Sequence, residues 1–263
     1  MLNIIYHEAF HNAMPLLEVK NLSKSYGVNG KSVIAFQNIS FTLDKREFIS
    51  IVGPSGCGKS TLLRILIGLE DATEGEIIFE GKPLKEAKPR FSMVFQSPSL
   101  FPWLTVEENV EIVLEPLGYT QEEREKIARK YISVVGLDGF ENAYPKELSG
   151  GMKQRVGLAR ALAVDPEVLL MDEPFSSLDS LTADALREEV LMLWANPSLP
   201  PDSIILVTHN IDEAVLMSDR ILILTPRPGR IIEDHKVSLP RPRNKKDPEF
   251  YKEVDYVVSV LSR

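Results

Sequence analysis

The chain has 263 residues, 44% of them apolar and 26% charged, and 30 Lys and Arg against 38 Asp and Glu leave a net charge of −8. This composition belongs to a globular protein long enough to bury a core, and the acidic balance argues against a general nucleic-acid coat. The apolar runs are strand-sized rather than membrane-spanning, and a single cysteine, Cys57, builds neither an internal disulfide nor a zinc site alone, which fits a reducing cytoplasmic setting.

The first fourteen residues carry no Lys or Arg and include Glu8, so they lack the basic start of a secretory signal. A variable tail over 1–14 is expected, with Met14 as an alternative start. Residues 16–22 and 32–43 are rich in β-branched and apolar side chains and read as strands, separated by Gly27 and Gly30. Phe48–Val52 is a short apolar run. It leads into a glycine-rich turn and then, over 59–69, apolar residues at helical spacing. Residues 76–79 and 91–95 read as further strands.

Between about 97 and 162 the period turns helical. Helices are expected over 105–117, 121–136 and 149–164, punctuated by Pro98, Pro102, Pro116 and Pro145. Alternation then returns: strands at 168–171 and 204–208, helices at 178–194 and 211–218, and strands at Arg220–Leu224 and 230–233. That order predicts an α/β core with a parallel sheet and a helical insertion. The core unit is read as 15–240 and the last segment, 241–263, as a tail. The run 236–246 holds five Lys or Arg and no acid, which reads as solvated. Beyond it Phe250, Val254, Val257, Val258 and Leu261 have roughly helical spacing, so a helix packed on the sheet is expected.

Gly53-Pro54-Ser55-Gly56-Cys57-Gly58-Lys59-Ser60-Thr61 fits G-x-x-x-x-G-K-[ST] between a strand and a helix. Glycines let the backbone wrap closely, so successive N–H groups point at phosphate oxygens, and the helix start adds its positive end. In that chemistry Lys59 bridges the β- and γ-phosphates and the Ser60 hydroxyl holds Mg²⁺. The run Val168-Leu-Leu-Met-Asp172-Glu173-Pro174 ends an apolar strand in two carboxylates. At the ligand edge of a parallel sheet Asp172 reaches the same Mg²⁺, and Glu173 is placed to polarise the attacking water.

The segment Leu148-Ser149-Gly150-Gly151-Met152-Lys153-Gln154-Arg155 resembles the signature motif of the ATP-binding cassette (ABC) ATPases. From the residues alone it is a helix N-cap with free N–H groups. The resemblance runs essentially from Leu16 to Leu239. It implies a P-loop NTPase core with a parallel sheet, an N-terminal antiparallel β subdomain and the inserted helical subdomain. It also implies roles for other residues. Tyr26 would stack on adenine. Gln96 would contact Mg²⁺ and water, and His209 the γ-phosphate. Ser149, Gly150, Gly151 and Gln154 would face ATP held by a partner, and Ser177 and Asp179 would lie in a loop crossing a dimer interface. The implied reaction is ATP hydrolysis by a head-to-tail homodimer that closes on two nucleotides.

Two departures from the family pattern are Asn210, where many relatives carry Asp, and Gly157 inside a helix. Cys57 in the phosphate loop suggests inhibition by thiol reagents with protection by ATP. The run Leu-Phe-Pro-Trp-Leu-Thr-Val and the stretch Thr225-Pro-Arg-Pro-Gly-Arg-Ile231 are similar to the nitrate, sulfonate and taurine branch of importer ATPases. That similarity implies a bacterial or archaeal importer subunit at the cytoplasmic membrane face, with a separate permease and an extracytoplasmic solute-binding protein. Leu100, Phe101 and Trp103 would then either dock the permease or pack the helical subdomain. The rival reading is a soluble cassette ATPase acting on a protein complex or nucleic acid, although no nucleic acid is expected.

Overall fold

Two sheets carry the strands of the computed structural model, which describes residues 14–28 and 31–262. The expected tail before Met14, and Gly30, lie outside the described residues. Strands β1 (Leu17–Val28), β2 (Lys31–Leu43), β4 (Glu74–Phe79) and β5 (Lys82–Pro83) form an antiparallel sheet in the order β2-β1-β4-β5. Strand β1 runs on through Gly27, which pairs with Ser32: the ladder carries the strand where the apolar pattern has faded. Strand β5 and the following one-turn helix α2 (Leu84–Ala87) are too short for either periodicity to reveal.

The second sheet contains β3 (Phe48–Val52), β6 (Phe91–Val94), β7 (Val168–Asp172), β8 (Ser203–Thr208), β9 (Arg220–Leu224) and β10 (Ile231–Lys236). Their order is β10-β9-β3-β8-β7-β6. Every neighbouring pair is parallel except the edge pair β9–β10. Alternate residues of the central strands enter different cores. Leu169, Met171, Ile204 and Leu206 face the helical insertion, while Val168, Leu170, Ile205 and Val207 face α1 (Lys59–Leu66) and the antiparallel sheet. Burial on both faces explains why these strands read as unbroken apolar runs.

The insertion comprises α3 (Val106–Glu111), α4 (Gln121–Val134) and α5 (Gly150–Ala163). Thr105 with Glu108 and Thr120 with Glu123 form reciprocal capping boxes at the starts of α3 and α4. The helix expected over 105–117 breaks after Glu111, and a separate 3₁₀ turn at Glu115–Leu117 contains Pro116. Proline has no N–H for a continuing helix. Helix α6 (Ser180–Ala195) follows β7, and α7 (Ile211–Met217) follows β8. Gly157 in α5 faces Pro98, whose Cβ would lie 3.3 Å from an added methyl, so packing accounts for the missing side chain.

The basic run is not solvated as expected. Arg243 Nη1 donates to the Val215 and Ser218 carbonyls at 2.6 Å, and Arg241 Nη2 donates to the Met217 carbonyl at 2.5 Å. These carbonyls lie at the end of α7, where helical partners run out. Arg241 also pairs with Asp219 and lies over the Trp194 ring. Burial pushes the Arg243 pKa down to about 10. The last helix, α8 (Pro248–Leu261), buries Phe250, Val257 and Val260 against α7 and β9. Val258, assigned to the buried stripe from spacing, is instead 42% exposed, and Val260 takes the inward position. Among the described residues no helix is long and apolar enough to cross a membrane.

Candidate active site

Strand order gathers the expected residues. The phosphate loop follows β3, His209 follows β8, Asp172 and Glu173 end β7, and Gln96 follows β6. Because β3, β8, β7 and β6 are successive parallel neighbours, all four segments emerge at one sheet edge. This is the crevice where open α/β sheets bind ligands.

The phosphate loop is held by two neighbouring segments and by its own lysine. Gly58 has φ of +99°, and an added Cβ would come within 3.0 Å of the Phe36 ring and 3.2 Å of the Ala35 carbonyl. Gly229 approaches so closely that a Cβ there would meet the Cys57 carbonyl at 2.1 Å. Its backbone bonds to Gln37 and Ala35 join this turn to β2. The stretch 225–231, singled out from its sequence, therefore backs the loop. Lys59 is buried, and its Nζ donates to the Gly53 and Pro54 carbonyls at 2.7 and 3.0 Å.

Ser60 Oγ donates to Asp172 Oδ1 at 2.9 Å. Burial raises the Asp172 pKa against the lowering effect of that bond. Glu173 adopts φ of +47°, a left-handed conformation unusual for a non-glycine residue, and its N–H donates to the Val207 carbonyl at 2.9 Å. Its Oε2 lies 3.0 Å from His209 Nδ1, and the His209 side chain is 58% exposed. Gln96 Nε2 donates to Ser176 Oγ at 3.1 Å, and Ser176 in turn donates to the Glu173 carbonyl. Ser176 precedes the Ser177–Asp179 loop, and nothing in its residue type distinguishes it from Ser177.

Tyr26 sits beside the first turn of α1. Its hydroxyl lies 3.5 Å from Thr61 Oγ1 and donates to Glu70 at 2.6 Å. Burial, then the bond to Glu70, raises the phenol pKa. Lys24 Nζ lies 4.9 Å from the ring centroid, so the ring already interacts with a cation. Glu70 carries no motif, and sequence gave no reason to select it.

A second group forms at the starts of α5 and α6. Ser149 caps α5, its Oγ accepting from the Met152 N–H at 3.3 Å, and Ser149 and Gly150 are exposed. Asp179 caps α6 by accepting from the Thr182 N–H at 3.1 Å, which lowers its pKa; Ser177 is exposed beside it. An added Cβ on Gly151 would lie 2.3 Å from Thr182 Cγ2, so the two turns form one surface. Gln154 departs from the role implied by resemblance. It is 1% exposed, and its amide donates to the Phe95 carbonyl at 3.0 Å. It ties α5 to the Gln96 segment instead of facing outward.

Cys57 also departs from expectation. The thiol is fully buried in the core under the loop, and burial raises its pKa. The loop offers its backbone and hides its sulfur. Next to Gln96, Trp103 is 69% exposed and Phe101 36% exposed, with ring centroids 5.6 Å apart, whereas Leu100 packs on the helical core. Asn109 organises this turn. Its Oδ1 accepts from the Phe101 N–H, and its Nδ2 donates to the Phe101, Leu104 and Thr105 carbonyls. Arg160 of α5 donates to the Pro98 and Ser99 carbonyls.

Residues 36–176 match the ABC transporter family, and the chain belongs to that family. It is an ATP-hydrolysing cassette. An ABC transporter ATP-binding protein of Methanocaldococcus jannaschii is 47% identical over 93% of this chain and 91% of that protein. The aliphatic sulfonates import ATP-binding protein of Bacillus cereus is 43% identical over 89% of this chain and 91% of its own length. The nitrate import ATP-binding protein of a Synechocystis strain is 43% identical over 93% and 94% respectively. A dimeric ATP-binding cassette in a post-hydrolysis state, bound to ADP and phosphate, superposes with a TM-score of 0.74 at 33% identity, covering 85% of this chain and all of that one. A Clostridium perfringens cassette from an ABC transporter complex gives 0.76 at 25% identity over 95% of both chains.

Proposed function

We propose that this chain is the energy-coupling subunit of an importer for a small solute of the nitrate, sulfonate or taurine class. The observation that carries the docking part of this reading is the Phe101–Trp103 pair. Two aromatic rings stand exposed on a turn fixed by Asn109 and Arg160, directly after the Gln96 segment. Exposed aromatics on a rigid support are the usual anchors of a protein interface. The sulfonate and nitrate import relatives supply the solute class. The subunit would sit on the cytoplasmic membrane face beneath a separate permease, with an extracytoplasmic binding protein delivering solute.

Two copies would pair head to tail. The phosphate loop of one would hold ATP, with Tyr26 against the adenine, while Ser149, Gly150 and Gly151 of the other offer N–H groups to the phosphates and Ser177 and Asp179 line the seam. Lys59 would exchange its carbonyl partners for phosphate oxygens. Ser60, Asp172 and Gln96 would hold Mg²⁺; the convergence of Ser60 Oγ and Asp172 Oδ1 at 2.9 Å gives hard oxygen donors of the kind that ion takes. When bound, Mg²⁺ neutralises charge on the phosphates. Glu173 would orient and deprotonate the attacking water, and His209, bonded to its carboxylate at 3.0 Å, would contact the γ-phosphate. The γ-phosphate stabilises the closed pair because it touches both halves, and its loss lets them part.

The test is a purification of tagged Glu173→Gln from native membranes in detergent with Mg-ATP. A polytopic permease in near-equal amount is expected. An ATP-dependent dimer confined to the soluble fraction, with no membrane partner, would overturn the importer reading in favour of a soluble cassette ATPase.

A further inference from the structure

Arg187 in α6 is buried, at 8% exposure, yet neither the fold nor any motif assigns it a role. Its guanidinium makes three kinds of contact. Nε and Nη2 each lie 2.8 Å from Glu213 Oε2, Nη1 donates to Asp184 Oδ1 at 2.9 Å, and the group stacks 5.2 Å from the Phe175 ring centroid.

These contacts reach both segments that carry the Glu173–His209 pair. Glu213, 3% exposed, lies in the first turn of α7; its N–H donates to Asn210 Oδ1 at 3.1 Å, and its carboxylate bonds to the Thr208 hydroxyl. The Asn210 N–H donates to Thr208 Oγ1 at 3.0 Å. His209 is therefore bracketed by residues that Glu213 fixes. Phe175 is also buried and stands two residues after Glu173. A cavity of about 370 Å³ lies between α6 and these segments, with Glu173, His209, Arg187 and Lys245 on its wall.

We propose that Arg187 is a positioning residue that sets the Glu173–His209 geometry by bonding one segment through Glu213 and stacking on the other through Phe175. The inference rests on reading that pair as the water-activating dyad. Lys245 Nζ donates to Asp184 Oδ1 at 2.6 Å and fastens the chain after β10 to the outer end of the same network.

The test compares Arg187→Met, Arg187→Lys, His209→Ala and Arg187→Met/His209→Ala in steady-state ATP hydrolysis, with folding checked by circular dichroism. Arg187→Met should lower kcat about ten- to a hundredfold while KM for ATP stays within about twofold, since Arg187 does not touch the phosphate loop. Arg187→Lys should recover little, because an ammonium neither forks onto Glu213 nor stacks flat on a ring. In the His209→Ala background, Arg187→Met should cost clearly less than it does alone, since only the Phe175 route to Glu173 remains. Removing both buried charges in Arg187→Met/Glu213→Leu keeps the question open to test if the single variant fails to fold: the double variant should fold yet remain slow. Wild-type kcat in folded Arg187→Met, recovery of kcat along with stability in Arg187→Met/Glu213→Leu, or a full additional loss on top of His209→Ala overturns the proposal. Wild-type turnover in His209→Ala instead defeats the dyad reading on which it stands.

Discussion

The phosphate loop and the Ser149 turn are built alike and finished differently. Each is a glycine-containing turn that opens a helix and presents backbone N–H groups. The first is packed at its base and along one flank, with only Pro54, Ser55 and Gly56 exposed at its crest. Gly58 lies against Phe36, the Gly229 turn lies against the Cys57 carbonyl, and Lys59 is buried across its own loop. The second has one side packed, where Gly151 meets Thr182, while Ser149 and Gly150 face outward. A turn packed in this way holds its shape before the ligand arrives, so binding costs it little ordering. An open turn on a rigid helix suits a ligand delivered by another molecule.

Removing the chemistry of the packed half should have the largest effect. Glu173→Gln should lower turnover about 10²–10⁴-fold, the range of a lost general base, while keeping the γ-phosphate in place. The variant should then elute as a dimer with Mg-ATP on size exclusion. A folded variant that stays monomeric would break the idea of two complementary halves. Lys59→Ala should cost about 10²-fold or more in kcat/KM by removing a preorganised charge beside the phosphates. Wild-type-like turnover there would contradict the site.

A change at the open half should separate binding from pairing. Gly151→Val places a side chain where Thr182 Cγ2 already lies 2.3 Å from the Cβ position. Overpacking of this kind costs about 1–3 kcal/mol. ATP affinity of the single chain should stay within about twofold, while ATP-dependent dimerisation weakens about tenfold or more. Gly151→Ala should weaken pairing through the same contact, and Thr182→Ser, which removes the methyl, should restore it. Equal loss of ATP binding by Gly151→Val, measured by equilibrium titration, would mean that the two turns are not independent.

Local chemistry was legible where a motif concentrates it. The phosphate loop, the Asp172–Glu173 strand end and the Ser149 cap could be read because glycine spacing, apolar runs and capping residues act over a few positions. The strand order that brings β6, β7 and β8 beside β3 could not, since it depends on contacts such as Val52 with Thr208, far apart in the chain. For the same reason the basic run looked solvated. The acceptors for Arg241 and Arg243 are carbonyls at the end of α7, which only the fold brings near. Gln154 and Cys57 show another limit: motif membership says that a residue is near the ligand, but not which way its side chain turns. Val258 and Val260 show the limit of a periodicity read without knowing the angle at which α8 meets its neighbours.

The smallest expected effect tests the packing of the loop itself. Cys57 Sγ is buried beneath the loop, and burial raises its pKa, so both access and thiolate fraction are low at neutral pH. A maleimide should label it about tenfold or more slowly than a free thiol, with ATPase activity persisting meanwhile. Denaturant should bring the rate up to that of an exposed cysteine. ATP should slow the native reaction only by the extent to which it stabilises the closed loop, because the sulfur does not face the ligand. Rapid labelling of the native chain, with activity lost in step and fully protected by ATP, would show that the loop opens toward solvent before nucleotide binds. The contrast with the Ser149 turn would then be one of sequence, and no longer one of rigidity.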